Sequence, residues 1–253
     1  MNRQPESSHV HDGADACAAC GCQGETVEAS RRGFFRSAIA GTAIGLLAGA
    51  AVGLGGATKA QAQSQMSPDE ALQALMDGNQ RYMSGQLKSF SEDLDMLKQH
   101  TAEKQEPFAA VLSCADSRVP VELVFDQSIG QIFVTRVAGN VITPEITASL
   151  EYGVAVLGTK VILVLGHGNC GAAKAAIQGK EVPGQISALY AHIRPAVDEV
   201  GADLDAVIDA NARIQASLLR QSSPVMAQAI KEGKLRVLAG RYDLASGKVS
   251  LIG

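Results

Sequence analysis

Apolar positions along residues 67–253 change their period several times, and each change predicts an element. Ser67-Pro68-Asp69-Glu70 supplies a cap residue, a first-turn proline and two acids. The segment ALQALMDGNQRYMSG follows with apolar residues three and four apart. That pattern predicts an amphipathic helix ending near Gly85. A second helix is expected over residues 91–104. Three runs then lack any polar alternation: Phe108–Ser113, Ile132–Thr135 and Val161–Leu165. Runs of this kind suit strands buried on both faces, as in a parallel sheet. Pro144–Leu157 has helical length and lies between the last two, which predicts a strand–crossover helix–strand unit. Further helices are expected over 170–178, 184–199 and 203–221. The C-terminal segment LRVLAGRYDLASGKVSLIG alternates around Ser246-Gly247, which predicts a hairpin. The fold class is therefore α/β, with a mostly parallel central β-sheet flanked by helices.

Residues 1–62 follow a different rule. Ser30-Arg31-Arg32-Gly33-Phe34-Phe35-Arg36 resembles a twin-arginine (Tat) export signal. Ser37–Thr58 is apolar but rich in Ala and Gly, which makes a poor permanent membrane anchor. Ala60-Gln61-Ala62 supplies the small-x-small pattern of a signal-peptidase site. The expected organisation is a signal peptide over 1–62 and one domain over 63–253. Cleavage after Ala62 leaves no stable membrane insertion and places the protein in the periplasm or outside the cell. The Cys17, Cys20 and Cys22 cluster, with His9 and His11 nearby, falls in the discarded segment.

Composition narrows the picture modestly. Of 253 residues, 46% are hydrophobic and 19% charged, the proportions of an ordinary globular protein. The net charge of −4 and the absence of a basic run beyond the signal speak against nucleic-acid binding. Residues 63–253 retain only two cysteines, Cys114 and Cys170.

Their surroundings carry the chemistry. Cys114 ends the first buried run, His167 directly follows the third, and Cys170 comes three residues later. In a parallel sheet those strand ends share the carboxyl edge, where open α/β folds place their sites. Cys, His and Cys form a recognised catalytic zinc set with a fourth position open. Residue types and spacing alone leave three readings open: a zinc site, a disulfide, and plain buried side chains. Asp116 and Arg118 lie close enough along the chain for a two-pronged ion pair. Such a pair could hold Asp116 off a metal or release it to become a ligand.

Cys114-Ala115-Asp116-Ser117-Arg118, followed by His167-Gly168-Asn169-Cys170, resembles the paired signature of β-carbonic anhydrases. The similarity runs from about residue 67 to residue 250. It implies Zn2+, one per subunit, on Cys114, His167 and Cys170, with Asp116 as a further ligand in a closed state. It implies Asp116 and Arg118 as the catalytic dyad. It implies Gln105, Phe133, Tyr152 and Gly171 as substrate-binding residues. The position three before Cys114 is Val111, and the chain has no Trp, which differs from the family's bicarbonate-inhibited style. Val119-Pro120-Val121-Glu122 is nevertheless similar to a segment of that style, so the pattern is mixed.

The resemblance further implies reversible hydration of CO2 to bicarbonate and a proton by attack of zinc-bound hydroxide. With two thiolate ligands the site carries less positive charge than a three-histidine site, so activity is expected to rise toward alkaline pH. As histidines, His100 and His192 are weak candidates for moving the proton onward. A homodimer or higher homo-oligomer is implied, with N-terminal helices packed on a partner subunit. The same scaffold could also hydrolyse carbonyl sulfide or carbon disulfide. A non-catalytic zinc site is a further alternative, disfavoured by Arg118 and Gln105. A thiol redox protein is disfavoured because no Cys-x-x-Cys remains after residue 62.

Overall fold

The computed structural model describes residues 64–89 and 94–253. The expected Tat signal, the expected cleavage site and the Cys17–Cys22 cluster lie outside the described residues. Helix α1 (Pro68–Met83) begins as expected: the Ser67 hydroxyl accepts from the Glu70 N–H, and the Glu70 carboxylate accepts from the Ser67 N–H. Among the described residues helix α2 spans Leu94–Thr101, ending three residues before the expected 104. Then follow β1 (Ala109–Ser113), α3 (Val121–Val124), β2 (Ile132–Arg136), α4 (Pro144–Ala155) and β3 (Val161–His167). The remainder is α5 (Gly171–Gln178), α6 (Ala188–Val200), α7 (Leu204–Ser222), α8 (Pro224–Lys231), β4 (Arg236–Tyr242) and β5 (Val249–Ile252). None of the described helices is long and apolar enough to cross a membrane.

The sheet order is β2-β1-β3-β4-β5, with only the β4–β5 pair antiparallel. The expected crossover between β2 and β3 exists but skips a place, because β1 lies between them. Every residue of β1 and β3 is buried, as their unbroken apolar runs require. Alternate residues face opposite layers. Val111, Leu163 and Leu165 pack with Leu75 of α1 and Val121 and Val124 of α3. Ala110, Leu112, Ile162 and Val164 pack with Leu150 of α4, Ala212, Ala216 and Leu219 of α7 and Met226 of α8. Each large aliphatic side chain so buried stabilises the fold by about 1.5–3 kcal/mol.

Two elements escaped the sequence reading. Helix α3 has four residues, too short for a helical period to stand out, and α8 buries only Met226 of its eight. Helix α1 docks on its own chain: Asn79 donates to the Val124 and Gly247 carbonyls and accepts from the Val249 N–H. The expected packing of N-terminal helices on a partner therefore does not extend to this face of α1. Helix α2 differs, since it buries no residue, and Leu94 and Met96 are 53% and 57% exposed.

Candidate metal centre

Parallel pairing aligns Ser113 with Arg136 and Leu165, so the carboxyl ends of β1, β2 and β3 lie at one edge. Cys114 is the next residue beyond β1, and His167 is the last residue of β3. The chain connects β1 outward to β2 on one side, and β3 begins the run in the other direction. That reversal between β1 and β3 is the topological switch point where α/β folds open a crevice. Gly168 and Asn169 then turn the chain, Asn169 at φ 57°, so that Cys170 caps the start of α5. Sγ of Cys114, a ring nitrogen of His167 and Sγ of Cys170 lie within 4.8 Å of one another, and all three residues are buried. The two sulfurs are not joined, which removes the disulfide reading.

The donors fit a divalent cation. Nδ1 of His167 lies 2.9 Å from the Gly168 carbonyl, which assigns the N–H to that nitrogen. Nε2, buried and without a hydrogen-bond partner, keeps its lone pair for the space between the sulfurs. An unsatisfied nitrogen at 0% exposure is costly unless something binds it. The sulfurs respond to each other in opposite directions. A hydrogen bond from Cys170 holds the Cys114 thiol well below its ordinary value, despite burial. The same contact, with burial, pushes Cys170 up, against the pull of the Ala172 and Ala173 N–H groups at the start of α5. Two thiolates this close form together only with a cation between them. Tetrahedral zinc, with bonds of about 2.0–2.3 Å to N and S, suits this donor set.

Asp116 stands beside the three donors. Its Oδ1 accepts from the backbone N–H and Nε of Arg118, both at 2.9 Å, and its Oδ2 accepts from Nη2 at 2.7 Å. These bonds, the Arg118 side chain's foremost, hold the carboxyl well below the usual carboxylate range, against the opposing effect of burial. Oδ2 is also 3.9 Å from Nε2 of His167, so the carboxylate stands within reach of the donor set. Gly171 opens α5 directly after Cys170, and no atom lies within 4 Å of the place a Cβ would occupy.

The chain does not bring the other expected residues to this edge. Gln105 precedes β1 and lines a cleft with His100, Lys104, Phe108 and Gln131 at the opposite, amino edge of the sheet. A strand the length of β1 separates the two edges by roughly 16 Å. Phe133 pairs with Ala110 near the start of β2, and its ring centre is 6.4 Å from that of Tyr152 on α4. Within one chain, then, Gln105, Phe133 and Tyr152 do not line the centre, because strand direction carries Cys114 away from them. His100 and His192 are exposed, on α2 and α6.

Two contributors had no sequence signal. Arg136, at the end of β2, donates Nε to the Cys114 carbonyl (3.1 Å) and Nη2 to the Asp116 carbonyl (2.6 Å), bracing the 114–116 loop. The Gly139 N–H points at Cys114 Sγ at 3.3 Å. Only the pairing of β2 with β1 makes Arg136 a neighbour of Cys114.

Comparison with known proteins agrees with this geometry. The family profile described as "Carbonic anhydrase" matches residues 109–249. A carbonic anhydrase of Mycolicibacterium smegmatis is 35% identical over 193 residues, covering 73% of this chain and 93% of that protein. Carbonic anhydrase 2 of Mycobacterium tuberculosis is 33% identical over the same shares. Among solved structures, a tetrameric β-carbonic anhydrase of Sordaria macrospora superposes with TM-score 0.58 at 25% identity, covering 63% of this chain and 87% of that one. A Coccomyxa β-carbonic anhydrase in complex with acetazolamide gives 0.55 at 25% identity, covering 71% and 85%. β-Carbonic anhydrases use zinc, and a buried Cys-His-Cys set with one free imidazole nitrogen suits that metal. On its profile, its relatives and its fold, the chain belongs to the β-carbonic anhydrase family.

Proposed function

We propose that this protein catalyses the reversible hydration of CO2 to bicarbonate and a proton, as a carbonate dehydratase, at the Cys114–His167–Cys170 centre. The observation that carries the proposal is the convergence of these three donors beside an Asp116 gripped by Arg118. Zinc held by Cys114, His167 and Cys170 would supply Lewis acidity, which would lower the pKa of a bound water. The protein's own residues do the rest. Asp116 keeps its charge because Arg118 occupies both of its oxygens, which supports an arrangement in which Asp116 is not a ligand. A remaining lone pair of Asp116 would accept a hydrogen bond from water at the open position and so orient it toward carbon. Gly171 leaves space for a small linear substrate to approach.

Three further parts belong to the same proposal. The protein assembles as a homodimer or larger homo-oligomer, and a second copy brings Gln105, Phe133 and Tyr152 to the centre. The exposed Leu94 and Met96 of α2, and Tyr152 at 46% exposure, support a covering partner. The protein is exported by the Tat route and works in the periplasm or outside the cell, with residues 1–62 removed. The order of paired arginines, apolar stretch and Ala60-Gln61-Ala62 supports this, and intact mass of the exported protein should begin at Gln63.

Stopped-flow CO2 hydration by the purified protein, with bound zinc quantified, tests the activity. The expected result is fast hydration with one zinc per chain and a slow Asp116→Ala variant that keeps its zinc. A zinc-loaded but inactive parent, even at alkaline pH, would overturn the proposal and direct assays to carbonyl sulfide and carbon disulfide.

A further inference from the structure

Behind the metal centre lies a run of polar groups with no role in binding zinc directly. Helix α7 carries Asn211 and Gln215 one turn apart, 4% and 1% exposed. Buried amides cost free energy unless their hydrogen bonds are made, and here they are made. Asn211 Nδ2 donates to the Gly139 carbonyl at 2.9 Å, and Asn211 Oδ1 accepts from Gln215 Nε2 at 3.2 Å. Gln215 Nε2 also donates to the His192 carbonyl at 3.1 Å, and Gln215 Oε1 accepts from the Ile142 N–H at 2.8 Å. Two side chains of one helix thus pin both ends of residues 139–142.

What they pin is a left-handed turn. Gly139 (φ 78°) and Asn140 (φ 45°) are consecutive left-handed residues, a conformation open to glycine and tolerated by asparagine. A Cβ at Gly139 would stand 2.8 Å from Cδ1 of Ile193 and 3.2 Å from Cβ of Ala172, so a side chain there would displace these neighbours as well as adopt a positive φ. The result of the turn is that the Gly139 N–H points at Cys114 Sγ, 3.3 Å away. A left-handed turn, held by buried amides, delivers one donor to one sulfur.

We propose that Asn211, supported by Gln215, is a positioning residue for the metal ligand Cys114. It holds Gly139 so that the peptide N–H donates to the sulfur, lowers the charge that sulfur passes to the metal, and slows metal loss. This rests on the zinc reading above. Groups that hydrogen-bond a ligand directly, as the Gly139 N–H does, typically govern metal affinity by about 10- to 100-fold, and Asn211 acts on that group at one further remove.

Cobalt exchanged for zinc in the purified protein makes the sulfur's electron donation visible as a sulfur-to-cobalt charge-transfer band. Losing a hydrogen bond to the sulfur raises its lone-pair energy and moves that band to longer wavelength. Asn211→Leu should shift the band and speed metal release to a chelator by about 10-fold or more, and Gln215→Met should do so more weakly. Asn79→Ala is the comparison, since Asn79 is equally buried and makes three hydrogen bonds far along the chain from the ligands. It should cost stability and leave both readouts unchanged. A folded Asn211→Leu protein with the parental band and release rate overturns the proposal, as does an Asn79→Ala protein that shifts equally. If Asn211→Leu does not fold, an unchanged Gln215→Met protein overturns it instead. A parent that shows no charge-transfer band overturns the zinc reading and this inference with it.

Discussion

Asp126 illustrates what a single side chain contributes away from the metal. Its carboxylate is wholly shielded and accepts from Nε of Arg81 and the backbone N–H groups of Lys88 and Ser89. Burial alone would push its carboxyl up, but Arg81 and the two N–H groups outweigh burial and hold it below its ordinary value. A folded-state pKa below the unfolded one means stability that is present above the unfolded value and lost as pH falls through the folded one. Asp126→Asn should therefore destabilise the protein at pH 7 by about 2–4 kcal/mol. The difference should shrink below about pH 4, near the unfolded carboxyl pKa. Urea unfolding at pH 7 and at pH 3.5 measures both, and a pH-independent gap would refute the charge argument. At the centre itself, Arg118→Ala frees Asp116 to move. Hydration should fall about 100-fold, the scale of a small misplacement of a reacting group, with zinc content unchanged in the same samples. Loss of zinc would make Arg118 a structural residue instead.

Among the elements, α1 depends on Gly78. A Cβ there would meet the Phe125 carbonyl oxygen at 1.8 Å, so α1 reaches α3 only because this position has no side chain. Gly→Ala ordinarily favours a helix by about 1 kcal/mol, yet here Gly78→Ala should destabilise by about 3 kcal/mol or more through overlap with backbone. Thermal unfolding followed by circular dichroism checks the sign; a raised Tm would show that α1 does not dock as described. The sequence shows Gly78 only as a weak point in a helical pattern. Its reason lies in α3, an element too short to be read. The strongly periodic or unbroken segments, α1, α4, α7, β1 and β3, were legible to within a few residues. Helix α8 was not, because its eight residues bury only Met226, and that burial requires α4 and α7 to be in place.

For the whole molecule, metal and fold should be linked. Without a cation, Nε2 of His167 stays buried and unsatisfied and one sulfur of the pair stays protonated. Free zinc at 100 times its Kd should stabilise the protein by about 2.7 kcal/mol, or roughly 5–10 °C in Tm for a domain of this size. Calorimetry before and after chelation, followed by re-addition of zinc, measures this; a Tm indifferent to zinc would place the metal outside the folded core. Sedimentation analysis addresses assembly, with a dimer or larger species expected. A monomer that is fully active would remove any part for a second copy's Gln105.

By itself the sequence determined the class of fold and the identity of the donors. Unbroken apolar runs can be satisfied only inside a covered parallel sheet, and Cys114, His167 and Cys170 each adjoin such a run or the turn that follows it. Tertiary structure alone decided how these pieces meet. Strand order set β1 between β2 and β3, which made Arg136 a brace for the Cys114 loop. Strand direction sent Gln105, Phe133 and Tyr152 away from the edge where Cys114 emerges. The packing of α7 against residues 139–142 aimed one peptide N–H at one sulfur. Local periods report which face of an element is buried. They carry no information about which distant residue lies against it, because that depends on pairings made only once the sheet has formed.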